Sequence, residues 1–97
     1  MSQRDPIERE VEIVNRAGMH ARPAAEFVKM AGRFTAEIRV EKDGIEVNGK
    51  SIMGVLMLAA EQGSRLRLTA EGDDAADAVD ALSDLVVRGF EELEGVT

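Results

Sequence analysis

The chain has no cysteine, no tryptophan, no tyrosine and a single histidine. Without cysteine there is neither a disulfide framework nor a thiolate metal site. One histidine leaves only carboxylates to complete any metal site, so no metal is expected. With no Tyr or Trp and a formal net charge of −7, the chain lacks the stacking platforms and basic excess that nucleic-acid binding draws on. No run of about 18 apolar residues exists, so no membrane span is expected. The stretch from Met1 to Glu12 is polar and has no apolar signal-peptide core, which leaves the cytoplasm as the expected location. Also missing are a Gly-rich phosphate loop, a nucleophile–base pair around a serine and a metal-ligand cluster. No bound cofactor is expected, and nothing marks an enzyme in its own right.

What is present is one small domain of 97 residues. Its charge is uneven. From Glu71 to Thr97 there are nine acids and one base, Arg88. Between Ile13 and Thr35, Arg16, Arg22, Lys29 and Arg33 stand against Glu26 alone. A local basic surface around His20 in an otherwise acidic chain would meet an acidic protein partner.

Residues 1–6 have no periodicity and end in Asp5-Pro6, which reads as a disordered extension ahead of a domain at 7–97. Alternation around Val11 and Ile13 predicts a strand over Ile7 to Val14, and Asn15-Arg16-Ala17-Gly18 a loop. After His20, Ala24, Phe27, Val28, Ala31 and Phe34 recur at helical spacing, with Pro23 in the first turn and an end near Gly32 to Thr35. Ala36 to Glu41, with Ile38 and Val40 inward, and Ile45 with Val47 form a hairpin about Lys42-Asp43-Gly44. A short helix spans Ile52 to Ala60, and a strand with Leu66 and Leu68 inward spans Ser64 to Glu71. A last helix follows Gly72-Asp73-Asp74, with Ala75, Ala78, Val79, Leu82, Leu85, Val86 and Phe90 as its apolar stripe. The order β-α-β-β-α-β-α predicts an α+β domain: one antiparallel or mixed sheet of four strands, helices on one face, the other face solvated.

His20 lies in Gly18-Met19-His20-Ala21-Arg22-Pro23-Ala24. Ahead of a helix it sits beside N–H groups without intrahelical acceptors and the positive end of the helix dipole, which favours an anion. Arg22 brings a fork of donors to the same anion. A histidine that accepts a phosphoryl group there becomes a covalent carrier. The same residues also fit a capping or surface histidine without chemistry. Lys50-Ser51-Ile52-Met53-Gly54-Val55-Leu56 is the second feature. Ser51 is a natural N-cap. Val55, Leu58 and Ala59 can face the core, leaving Ile52, Met53 and Leu56 together on another face, suited to docking partners. The alternative is that all are core.

These two motifs, in this order and spacing, resemble the HPr family, the histidine-containing phosphocarriers of the bacterial phosphoenolpyruvate-dependent phosphotransferase system. The resemblance covers about Glu8 to Leu93. It implies an open-faced β-sandwich: a four-stranded antiparallel sheet with three helices on one face. It implies that His20 accepts the phosphoryl group at Nδ1 from phosphorylated enzyme I, that Arg22 steadies it, and that it passes to an enzyme IIA domain. It maps a regulatory phosphosite onto Ser51, acted on by a serine kinase/phosphorylase. It maps a docking patch onto Ala21, Arg22, Ile52, Met53 and Leu56. A monomer is expected. The runner-up is a regulatory protein-binding module controlled at Ser51, in a nitrogen-related or catabolite-control branch.

Overall fold

The computed structural model describes residues 5–91; most of the expected N-terminal extension, at 1–4, and the end of the acidic tail, at 92–97, lie outside the described residues. The chain runs β1 (Ile7–Glu12), α1 (Ala21–Ala31), β2 (Glu37–Lys42), β3 (Ile45–Asn48), α2 (Ile52–Met57), β4 (Arg65–Glu71) and α3 (Ala75–Val87), closed by one 3-10 turn at Gly89–Glu91. The strands form a single sheet in the order β1-β4-β2-β3, antiparallel throughout. Helix α3 packs on β1 and β4, α2 lies by β3, and α1 sits between the other two helices. This is the open-faced sandwich that the sequence implies.

The period of two along the strands decides which face is buried. Val11, Ile38, Val40, Leu66 and Leu68 point at the helices and are almost fully buried, and Phe27, Leu82 and Val86 fill the space above them. Phe27 is among the largest fully buried side chains, so its truncation to Ala would cost about 3–5 kcal/mol. The opposite face is an ion-paired lattice. Arg65 meets Glu10 at 3.3 Å, Arg67 meets Glu41 at 3.2 Å, and Arg39 lies 3.2 Å from Glu37 and 3.7 Å from both Glu46 and Glu71. Exposed pairs of this kind stabilise little but keep the open face polar.

Three boundaries differ from expectation by more than one residue. Strand β1 stops at Glu12 because the next residue bonds to a loop: Ile13 donates to Ser64 O and accepts from Gly63 N, each at 2.8 Å. Helix α2 stops at Met57 rather than Ala60, because Ala59 is left-handed, φ +49°. Ala59, expected on the core side, is exposed, and Ala60 takes the buried place. Helix α3 ends at Val87, so Phe90 is not part of its stripe; a left-handed turn at Gly89 and Phe90, φ +66° and +57°, folds that ring back into the core.

Candidate functional site

Two helix N-termini build the site. His20 is the N-cap of α1, extended at φ −82° and ψ −168°, exposed, with no side-chain cap bond. Its carbonyl accepts the first helical bond, from Ala24 N–H at 3.0 Å. Pro23 at the third helical position is buried and carries no N–H. The helix therefore begins with N–H groups at Ala21 and Arg22 whose place in the helix gives them no intrahelical acceptor. Arg22 is exposed in that first turn. With Pro23, Glu26, Phe90 and Glu91 it lines a cleft of about 150 Å³.

The loop that delivers His20 is braced from below. Gly18 is left-handed, φ +71°, and a Cβ there would come within 2.5 Å of Ala60 O. The loop beneath is enough by itself to require glycine here. Met19 is buried and donates to Ala60 O at 2.8 Å. Asn15, also buried, donates through Nδ2 to Gly18 O at 2.8 Å.

Ser51 is the N-cap of α2, and its Oγ accepts from Gly54 N–H at 3.1 Å. Lys50 anchors the preceding turn by donating from Nζ to Phe34 O at 2.7 Å. Helices α1 and α2 pack side by side, which brings the two motifs onto adjoining elements. Ile52 and Met53 are exposed by 39% and 67%, so the apolar face of α2 is open. Leu56 is only half-exposed and packs against the core. Met57, at 74%, is the most exposed large apolar side chain among the described residues and joins Ile52 and Met53, although the spacing grouped only Ile52, Met53 and Leu56.

The charge asymmetry survives folding. Arg16, Arg22, Lys29 and Arg33 are exposed about α1, whereas α3 and its lead-in expose Asp73, Asp77, Asp80 and Asp84. Among the described residues no group of three acidic, His or Cys side chains could hold a metal, and no helix is long and apolar enough to cross a membrane. The buried braces, Asn15 and the loop around Ala60, were not singled out from sequence. The glycine that closes the Asn15-Arg16-Ala17-Gly18 loop is the one sequence signal that could have pointed to them.

A family model described as "PTS HPr component phosphorylation site" matches residues 7–88. The phosphocarrier protein HPr of Treponema pallidum is 50% identical over 82 residues, 84% of this chain and 93% of that protein. The HPr-like protein Crh of Halalkalibacterium halodurans is 51% identical over 76 residues, 78% of this chain and 90% of its own length. In structure, HPr-C-His from Thermoanaerobacter tengcongensis superposes with a TM-score of 0.87 at 49% identity, covering 90% of this chain and 98% of that one. An HPr dimer from the same organism gives 0.71 at 51% identity over 82% and 92%.

Proposed function

The chain belongs to the HPr family of phosphotransferase-system phosphocarriers, and from that premise we propose that His20 is the residue that carries the phosphoryl group. One observation carries the assignment: the sole histidine is exposed at the N-cap of α1, with Arg22 in the same first turn. A ring nitrogen, Nδ1 by family resemblance, attacks the phosphorus of phosphorylated enzyme I. The new N–P bond forms as the donor's breaks, and the donor histidine keeps the departing electron pair. The helix N-terminus and the Arg22 guanidinium offset the phosphoryl charge. The reverse chemistry hands the group to an enzyme IIA domain. Ala21, Ile52, Met53, Leu56 and Met57 supply the apolar part of the docking face, and the cations about α1 steer acidic partners to it. The carrier unit is residues 7–97, working in the cytoplasm as a single chain, and light scattering at micromolar concentration tests the single-chain claim.

The test of His20 is incubation of the full chain with enzyme I and phosphoenolpyruvate. Acid-labile phosphate appears on the wild type and is lost in His20→Ala. A wild type left unlabelled by enzyme I of its own cell overturns the assignment.

A second reading has its own support, the 51% identity to an HPr-like protein Crh. In it, phosphorylation of Ser51 sets which partners bind. A dianion there suits the α2 N-terminus but stands beside the apolar patch and repels acidic partners. Partner capture with Ser51→Asp against His20→Ala separates the readings. If only Ser51→Asp changes the partners and His20 takes no label, regulation is the function.

A further inference from the structure

We propose that Asn15 is a positioning residue for phosphoryl transfer: its side chain locks the peptide unit from which His20 is presented. The inference rests on the assignment of His20 as the acceptor.

Residues 15–18 form a turn in which Gly18 N–H donates to Asn15 O at 3.1 Å. The Asn15 side chain closes the same turn from the other direction, Nδ2 donating to Gly18 O at 2.8 Å. A carbonyl only accepts, so the atom facing it must be the amide nitrogen. The next half of that peptide is tied as well, since Met19 N–H donates to Ala60 O at 2.8 Å. A peptide unit is planar. With its C=O held by Asn15 and its N–H held by Ala60, the Gly18–Met19 unit has no freedom to rotate. One residue later, His20 O is fixed by the first bond of α1, from Ala24 N–H. Between these two anchors lie only the backbone torsions of Met19, whose side chain is 4% exposed, and those of His20 itself. The orientation of the imidazole against the helix N-terminus is thus set by a rigid lever, and Asn15 is the part of that lever supplied by a side chain.

The choice of residue follows. Position 15 is 2% exposed, and the carbonyl it serves belongs to buried Gly18. Removing the amide would leave a buried acceptor to find another partner, and glycine offers the torsional freedom for the peptide to flip. A flip of that unit moves His20 without touching Arg22 or the apolar face of α2. The defect should therefore appear in the transfer step and not in docking.

The experiment compares full-length wild type, Asn15→Ala and Asn15→Asp. Asp keeps the shape of Asn but turns an acceptor toward an acceptor. Single-turnover transfer from phosphorylated enzyme I is measured against carrier concentration, well below each variant's Tm, together with the ring ¹⁵N resonances of His20. Ser83→Ala, a change within α3, serves as a control for loss of stability alone. In both Asn15 variants the saturating rate should fall roughly tenfold or more while the half-saturating concentration stays within about twofold. The His20 ring resonances should move or broaden in both. Three results overturn the proposal: wild-type rates with unmoved resonances, a defect confined to half-saturation, or an equal slowing in Ser83→Ala at matched Tm. If wild type takes no label at all, the assignment of His20 fails, and the ring resonances alone then decide the role of Asn15.

Discussion

Helices α1 and α2 lie side by side and each starts from an extended polar residue, yet the two caps do opposite things. Ser51 turns its Oγ back onto Gly54 N–H, 3.1 Å away, so α2 fills its own N-terminus. His20 makes no such bond, and its ring stands exposed at the start of α1. A hydroxyl cap stabilises a helix by about 1 kcal/mol, and α1 forgoes that gain. The difference separates two uses of one physical feature. The α2 start is closed by its own side chain, whereas the α1 start has no side-chain cap and, in the proposed function, receives the phosphoryl group.

The largest effect should come from making α1 resemble α2. His20→Ser supplies a hydroxyl to the Arg22 N–H, the one cap donor within its reach because Pro23 has none. Thermal unfolding should show a gain of at most about 1 kcal/mol, while labelling by enzyme I and phosphoenolpyruvate falls to zero. A Ser variant that is less stable than wild type would mean that the imidazole itself caps the helix, and the contrast would be lost.

Next in size is Arg22. A charge-assisted hydrogen bond to a buried or partly shielded anion contributes about 1.5–3 kcal/mol, which is roughly 10- to 100-fold in rate. Arg22→Ala should slow transfer by that factor and shorten the lifetime of the phosphorylated form. Arg22→Lys should recover part of the rate, since it restores the charge without the planar fork. Equal rates in all three proteins would leave the α1 N-terminus as the only stabilising group.

Smaller again is the change at Ser51. Ser51→Ala should lower stability by about 1 kcal/mol and leave the amount of label on His20 unchanged. Ser51→Asp keeps a good cap and so should keep the Tm, but it should raise the concentration of carrier needed to half-saturate enzyme I. Added salt should shrink that increase, because it is electrostatic. A Ser51→Asp protein with wild-type half-saturation would remove Ser51 from the docking face.

The fold and both caps were legible because they rest on local chemistry. Strand alternation at Ile38, Val40, Leu66 and Leu68 announces the buried face, and a Ser before an apolar run announces a helix start. Departures arise where distant backbone decides. Ala59 as a left-handed residue is outside any propensity, and it ends α2 three residues early. The value of Gly18 depends on Ala60, 42 residues further along, whose carbonyl a side chain at Gly18 would strike. Asn15 looked like an ordinary loop residue because asparagine is common in turns. Only its burial and its bond to Gly18 O mark it as a brace.

The third helix start extends the contrast and carries the smallest prediction. Asp74 is the N-cap of α3 by position, but its side chain makes no cap there. Its carboxylate instead accepts from Thr35 N–H at 2.9 Å and Ala36 N–H at 2.8 Å, joining the start of α3 to the chain that leaves the far end of α1. The hydrogen bond from Thr35 N–H, with that from Ala36 adding to it, holds the Asp74 carboxyl below its ordinary value of 3.8. A carboxyl held low in the folded state binds its proton more readily once unfolded. Its contribution to stability is therefore complete above about pH 4 and fades as pH falls toward the lower folded value. Asp74→Asn removes that contribution, because one amide oxygen replaces two carboxylate oxygens. Thermal unfolding of the two proteins should show a constant Tm gap from pH 7 down to about 5 that narrows below about 4. Other carboxylates titrate in both proteins, so the difference between them isolates this one. A gap that stays constant to pH 2 would show that the carboxylate's charge contributes nothing. Labelling of His20 should be unchanged throughout, since this junction lies at the opposite end of α1 from that residue.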